Sequence, residues 1–267
     1  MEDSSDRLKS VELDILKEFI RICQENQLQY YLVGGSALGA IRHHGFIPWD
    51  DDIDVALPRK DYNSFLEIGQ KNLPDYYFLQ TFETDPEYPV NFAKIRDSRT
   101  TFIESSMKNR KMNHGIYIDV FPLDFYPEHN VGWFKLIDLL QKARISIEFS
   151  SVASTKMRAV QAISKVLYPD LTKTLKRREQ HLQSISSSSM VTNFLGAWRD
   201  KETMPKKVFK GGTLVTFENI KALVPEDYDT YLTHLYGDYM TPPPVEKQKG
   251  HHYTEIIDFD KPFTEYI

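Results

Sequence analysis

Residues 33–59 read VGGSALGAIRHHGFIPWDDDIDVALPR. Just before this stretch, Tyr30, Tyr31, Leu32 and Val33 form a short β-prone run that stops at Gly34 and Gly35, and a helical pattern resumes from Ser36 to His44. Further on, Ile53, Val55 and Leu57 alternate with Asp52, Asp54 and Ala56 until Pro58 stops the run. The pattern is a strand, a glycine turn, a helix and a second strand whose polar face carries carboxylates.

Asp50, Asp51, Asp52 and Asp54 crowd into five positions at the entry of that second strand. In an extended chain residues two apart share a face, so Asp50, Asp52 and Asp54 are expected to converge. Two carboxylates about 4 Å apart repel by roughly 4 kcal/mol at an effective dielectric of 20. A cation removes that cost, and hard oxygen ligands suit Mg²⁺ or Mn²⁺. Read without a cation, the same residues make a solvated acidic turn. The Gly34-Gly35-Ser36 turn favours the metal reading, because glycines let backbone N–H groups approach a phosphate and the helix start adds partial positive charge.

A Gly-Gly-Ser turn followed 16 residues later by Asp-hydrophobic-Asp resembles the signature of the nucleotidyltransferase superfamily. That resemblance implies a third acid on a neighbouring strand. Asp119 is the first candidate, in the alternating run Gly115 to Phe121, and Asp124 is the second, unless it caps the turn after Pro122.

Working outward, Leu8, Val11, Ile15, Phe19 and Ile22 predict an amphipathic helix over residues 6–26, with Cys23 beside its buried stripe. Residues 59–69 read as helix, and 77–82, 91–96, 100–104 and 115–121 as strands. Interleaved helices and strands indicate an α/β (α+β) domain. At about residue 131 the chain changes character. Ten basic and three acidic side chains give residues 131–178 a charge of +7; the whole chain carries −5, so −12 lies elsewhere. With Trp133, Phe134, Ile137 and Leu140 at helical spacing, the segment reads as a basic, mainly helical insertion over 131–205. It separates a catalytic core over 1–130 from a C-terminal part over 206–267 that completes the site. Such a segment is also suited to peripheral contact with an anionic membrane.

The 33–59 block, together with Lys94-Ile95-Arg96-Asp97, Gly115 to Asp124, Tyr236 to Met240, Pro242-Pro243 and His251-His252, resembles the LicD family of phosphocholine transferases. The resemblance implies a nucleotidyltransferase-like mixed sheet flanked by helices. It also implies transfer of a phosphorylated alcohol, typically phosphocholine from CDP-choline, to a sugar hydroxyl of a cell-surface glycan precursor of the teichoic acid or lipopolysaccharide type. The acceptor can be lipid-linked, and relatives such as fukutin-related protein use CDP-ribitol instead. On this reading Asp52 and Asp54 hold metal with Asp50 beside them, and Asp119 ligates the metal and takes the hydroxyl proton.

Basic residues must meet the donor pyrophosphate. Arg42 lies on the helix after the glycine turn, and Lys94 and Arg96 stand two apart on one predicted strand face. One of His251 and His252 is a further phosphate contact, whereas His43 and His44 read as a helix end. Trp49, next to the acids, is the ring most suited to a quaternary ammonium.

The acidic balance argues against nucleic acid as a partner. One cysteine excludes an internal disulfide and a multi-cysteine zinc site, and fits a reducing compartment. No apolar run nears the roughly 18 residues that span a bilayer, and the acidic N-terminus is unlike a secretory signal. The expected location is cytoplasmic, at the inner face of the membrane where contact occurs. P-loop, G-x-G-x-x-G, H-E-x-x-H and G-x-S-x-G patterns are absent.

Overall fold

The computed structural model describes residues 4–149, 154–250 and 253–267. Helix α1 (Ser4–Glu25) buries Leu8, Ile15, Leu16, Phe19, Ile22 and Cys23 at spacings of three and four, and Glu12 lies in the same stripe. Strand β1 (Tyr31–Leu32) leads through Val33 into α2 (Gly34–Arg42), then β2 (Asp54–Pro58) into α3 (Arg59–Asn72). Next come β3 (Tyr77–Gln80), β4 (Ala93–Asp97), β5 (Thr101–Glu104) and the long β6 (Ile116–Phe125). Helices α4 (Val131–Ser146), α5 (Thr155–Leu167) and α6 (Leu171–Leu182) follow, with β7 (Met190–Thr192) and β8 (Met204–Pro205) after them. The chain closes with the hairpin β9 (Thr213–Phe217) and β10 (Ile220–Val224), α7 (Tyr228–Tyr236) and β11 (Thr254–Asp258).

The expected mixed α/β architecture is what forms, with seven α-helices among the described residues. The main sheet runs β1-β2-β6-β4-β3, with β7 and β8 continuing from β6. Strands β2 and β6 are parallel and pair Asp54 with Asp119, while β4 runs antiparallel to β6 and pairs Lys94 with the same Asp119. Helices α1 and α3 pack on this sheet, and β11 pairs with β5 in a separate two-stranded ribbon.

Three local features depart from the sequence reading. The helix begins at Gly34, not Ser36, so both glycines form its first turn; Gly34 has φ +55°, a conformation that glycine adopts without a Cβ penalty. The second strand begins at Asp54, so Asp50 and Asp52 lie in the irregular segment before it and not on a strand face. Residues 131–205 are helical only as far as Leu182; β7 and β8 then return to the sheet, pairing Thr192 with Asp124.

Helix α6 is fastened to the sheet, and α4 to α6, by buried charge pairs. Arg59, just past β2, donates from Nε and Nη2 to the two carboxylate oxygens of Asp124 at 2.6 and 2.8 Å, and from Nη1 to Glu179 of α6. Arg178 of α6 pairs with Asp138 of α4 at 3.1 Å. Asp124, the second candidate for a third metal ligand, is therefore a structural anchor. Burial alone would raise its carboxyl strongly, and Arg59 holds it to about 6. Removing one member of such a pair strands the other charge, at a typical cost of about 3–5 kcal/mol. Arg59→Met should therefore lower the urea unfolding midpoint sharply, and Arg59→Met with Asp124→Leu should recover part of the loss. A single variant as stable as wild type would show that the pair does not hold the helices.

Candidate active site

The first turn of α2 and the acidic segment before β2 are pressed together. A Cβ on Gly35 would sit 2.7 Å from Asp50 Oδ2, and one on Gly34 would sit 3.2 Å from Asp54 Oδ2. Only residues without a side chain allow carboxylates this close to the helix start. Gly34 donates its N–H to the Tyr231 hydroxyl of α7 at 2.9 Å, and Val33 supplies no side-chain cap. Asp54 in turn donates its N–H to Ser36 Oγ at 2.8 Å. Ser36 thus positions the start of β2 from beneath and does not line the cavity.

That cavity has a volume of about 620 Å³ and is walled by Gly34, Gly35, Arg42, Trp49, Asp50, Asp52, Asp54, Asp119, Glu202 and Tyr236, among others. The metal candidates Asp50, Asp52, Asp54 and Asp119 are thus brought together. Oxygens of Asp50, Asp51 and Asp52 lie within 4.8 Å of one another, which adds Asp51 to the acids foreseen. Burial, then Asp52, Asp119, Asp50 and Glu202, hold the Asp54 carboxyl well above the usual carboxylate range. Glu12 lies behind the group on α1; burial and Asp52, Asp51 and Asp50 raise its pKa likewise, and its Oε2 has no hydrogen-bond partner among the described residues. Several hard oxygen donors at mutual electrostatic cost fit a divalent cation of the Mg²⁺ or Mn²⁺ class.

The cations are distributed differently from the sequence reading. Lys94 Nζ donates to Asp119 Oδ1 at 2.6 Å and lies 3.3 Å from the centre of the Tyr117 ring, so its charge is spent on the acid and is not offered to a phosphate. Arg96 is fully buried and donates to Gln80 Oε1 and, at 2.7 Å, to the Gly115 carbonyl. It does not reach the cavity, because every residue of β4 is buried and alternation gives a face but not a depth. Arg42 does line the cavity, donating from Nη1 to the Tyr239 carbonyl at 2.8 Å and from Nε to His43 Nε2 at 2.9 Å. Burial and the neighbouring guanidinium push the His43 imidazole pKa down, so it accepts that bond as a neutral ring. Lys247 is a second cation on the wall, one that no motif announced. His251 and His252 lie outside the described residues.

Glu202 was also missed, because its segment carries no motif. It is buried at the end of a short 3₁₀ turn, where it accepts hydrogen bonds from the Trp198 N–H and the Asn193 side chain. Burial raises its carboxyl to about 7.

A family model described as LicD/FKTN/FKRP, nucleotidyltransferase domain, matches residues 27–164. The lipopolysaccharide cholinephosphotransferase LicD of Haemophilus influenzae is 33% identical over 257 residues, which is 91% of this chain and 94% of that protein. An uncharacterized Rickettsia prowazekii protein is 28% identical over 43% of this chain and 40% of its own length. The mouse ribitol 5-phosphate transferase FKRP is 26% identical over 39% of this chain and 18% of its own length.

The Glu202 carboxyl, ordinary at 4.5 and raised to about 7, binds its proton more tightly in the folded state. Between those values the folded chain holds a proton that the unfolded chain has lost, so stability from this group is present at low pH and is lost as pH rises towards 7. At about 1.4 kcal/mol per unit, the ionised carboxyl costs the fold on the order of 3 kcal/mol above pH 7. In chelator, Glu202→Gln should therefore unfold at a higher temperature than wild type at pH 8 and at nearly the same temperature at pH 4.5. Parallel melting curves across that range would show that Glu202 is not a strained acid.

Proposed function

The chain belongs to the LicD family of transferases, and from that premise we propose that it moves phosphocholine from CDP-choline to a sugar hydroxyl of a lipopolysaccharide, with a divalent cation. The observation that carries this reading is the convergence of Asp50, Asp52, Asp54 and Asp119 on one cavity, with Asp50 and Asp54 against the first turn of α2. In the transfer, the acceptor oxygen forms a bond to the phosphorus that bears choline, the bond from that phosphorus to the CMP oxygen breaks, and CMP leaves with the electron pair.

Asp52 and Asp54, with Asp50 and Asp119 at hand, would hold the cation. Bound there, it would neutralise charge on the pyrophosphate and lower the pKa of the acceptor hydroxyl. The chain's own groups do the rest. The first turn of α2 orients a phosphate by its backbone and dipole, while Arg42 and Lys247 supply positive charge at the wall. Two carboxylates on the cavity stand ready for the acceptor proton: Asp119, whose charge is compensated by Lys94, and Glu202, whose pKa near 7 matches the working range of a general base. We infer a cytoplasmic reaction, which a nucleotide-activated donor and a chain with a single cysteine suit. Teichoic acid is the alternative acceptor and CDP-ribitol the alternative donor, distinguished by measuring CMP release with each CDP-alcohol and each glycan.

Two predictions follow from this assignment. Asp54→Asn should lower turnover by roughly 10²–10³-fold at saturating Mg²⁺, the usual loss when one electrostatic stabiliser is removed, while the fold survives. Full turnover would mean that the acids form a solvated turn, and release of pyrophosphate from CTP in place of CMP from CDP-choline would make the enzyme a nucleotidyltransferase. The second prediction concerns Trp49, whose ring carries the Arg42 guanidinium 5.9 Å from its centroid. A quaternary ammonium on the same aromatic wall gains about 0.5–2 kcal/mol per ring. Trp49→Ala should therefore weaken CDP-choline more than CDP in calorimetry, whereas equal weakening would assign the ring to positioning Arg42.

A further inference from the structure

Helix α5 reads TKMRAVQAISKVL, with Lys156, Arg158 and Lys165 and no acidic residue. Among the described residues Ser164 is its one buried side chain, whereas Ile163, Val166 and Leu167 are 56%, 81% and 53% exposed. On a helical projection Ala159, Ile163 and Val166 centre on the side opposite Ser164, with Lys156 on one flank and Arg158 and Lys165 on the other. These three cations are exposed and form no ion pair with a described residue, unlike Lys142, Arg144 and Arg178, which pair with Asp138 and Glu148. Helix α4 packs beside α5 and leaves Trp133, Leu136 and Leu139 exposed along its first three turns.

An exposed apolar stripe with Lys156 on one flank and Arg158 and Lys165 on the other, none paired with a described residue, is the pattern of a helix that lies in a lipid headgroup layer. The position of these helices gives the pattern a use. A groove of about 330 Å³, lined by Val90, Phe92, Leu139, Phe149, Met157 and Phe194, runs from α4 and α5 to Gly196 and Ala197. Gly196 and Ala197 also wall the catalytic cavity. We propose that α4 and α5 dock the enzyme on an anionic membrane surface, so that the glycan of a lipid-linked acceptor enters the catalytic cavity along this groove. The groove's use rests on the acceptor reading above; the docking itself does not. Occupancy by lipid follows from the charge: the basic flanks complement anionic headgroups, while the rest of the chain is acidic and would be repelled.

The test is flotation with vesicles of phosphatidylcholine, with and without phosphatidylglycerol, in low and high salt. Wild type should partition at least about tenfold more onto the anionic vesicles in low salt and be released in high salt, since each basic residue near an anionic leaflet contributes about fivefold. Ile163→Asp with Val166→Asp should lose binding to these vesicles, and Lys156→Glu with Lys165→Glu should lose the preference for anionic lipid. Both pairs are exposed and outside the cavity, so both variants should keep the wild-type melting temperature and the wild-type rate of CMP release with a delipidated glycan acceptor. The proposal fails if wild type stays unbound on anionic vesicles in low salt, or if Ile163→Asp with Val166→Asp binds as wild type does. It also fails if light scattering shows a wild-type dimer that this variant splits, which would give the face to a second copy of the chain. No donor or acceptor is present in the vesicles, so docking can fail while transfer succeeds, and the reverse.

Discussion

Carboxylates forced together at the start of β2 govern much of what surrounds them. Asp54 faces Asp52, Asp119, Asp50 and Glu202, and each like-charge neighbour raises its pKa further. A pair at 4 Å costs about 4 kcal/mol at an effective dielectric of 20, which is a large share of a domain's net stability. The fold spreads that load over specific partners. Lys94 neutralises Asp119 across the β4–β6 pairing, the first turn of α2 sets its positive end against Asp50 and Asp54, and Ser36 fixes the backbone at Asp54, where β2 begins. Parallel pairing of β2 with β6 makes the contact between Asp54 and Asp119 unavoidable, because the register places the two residues opposite one another.

Other buried positive charge is committed away from these acids. Arg59, Arg96 and Arg178 are buried or nearly so and hold carboxylates, an amide or a backbone carbonyl inside the fold. Guanidinium suits this work because its fixed fork meets two acceptors at once, as Arg59 does at Asp124. With these groups committed to structure, Arg42 and Lys247 are the cations on the catalytic wall among the described residues. Arg42 is itself braced by His43 and the Tyr239 carbonyl, so it meets a ligand with little side-chain freedom left to lose.

How much of this was legible depended on how local each determinant is. The glycine turn and the acids lie within 21 residues, from Gly34 to Asp54, so their order and spacing sufficed to place them on one wall. Asp119 was readable too, because the resemblance implies a third acid on a neighbouring strand and the alternating run Gly115 to Phe121 offers one. Lys94 and Arg96 misled for a non-local reason. Alternation placed them on one face correctly, but whether that face meets a cavity or a core depends on Asp119, Gly115 and Gln80, which come from other strands and turns. Glu202 was invisible because β7 and β8 bring it back to the site after a helical excursion of some fifty residues. Composition showed that residues 131–178 are basic, but not that several of those charges point inward.

That last distinction decides how the helical segment is to be understood. Lys142, Arg144 and Arg178 close ion pairs within the segment, and Glu179 and Asn91 tie α6 to Arg59 and to the chain entering β4. A segment held by buried pairs at its base has fixed geometry there, and buried pairs reward specificity of arrangement more than they add net stability. Its outer helix is the reverse: α5 buries almost nothing, and its apolar side chains gain little from the rest of the chain. Exposed apolar surface on α5, which packs on α4, is not explained by folding, because folding would be no worse with polar residues at Ile163 and Val166. Those apolar side chains gain free energy only when something other than water covers them.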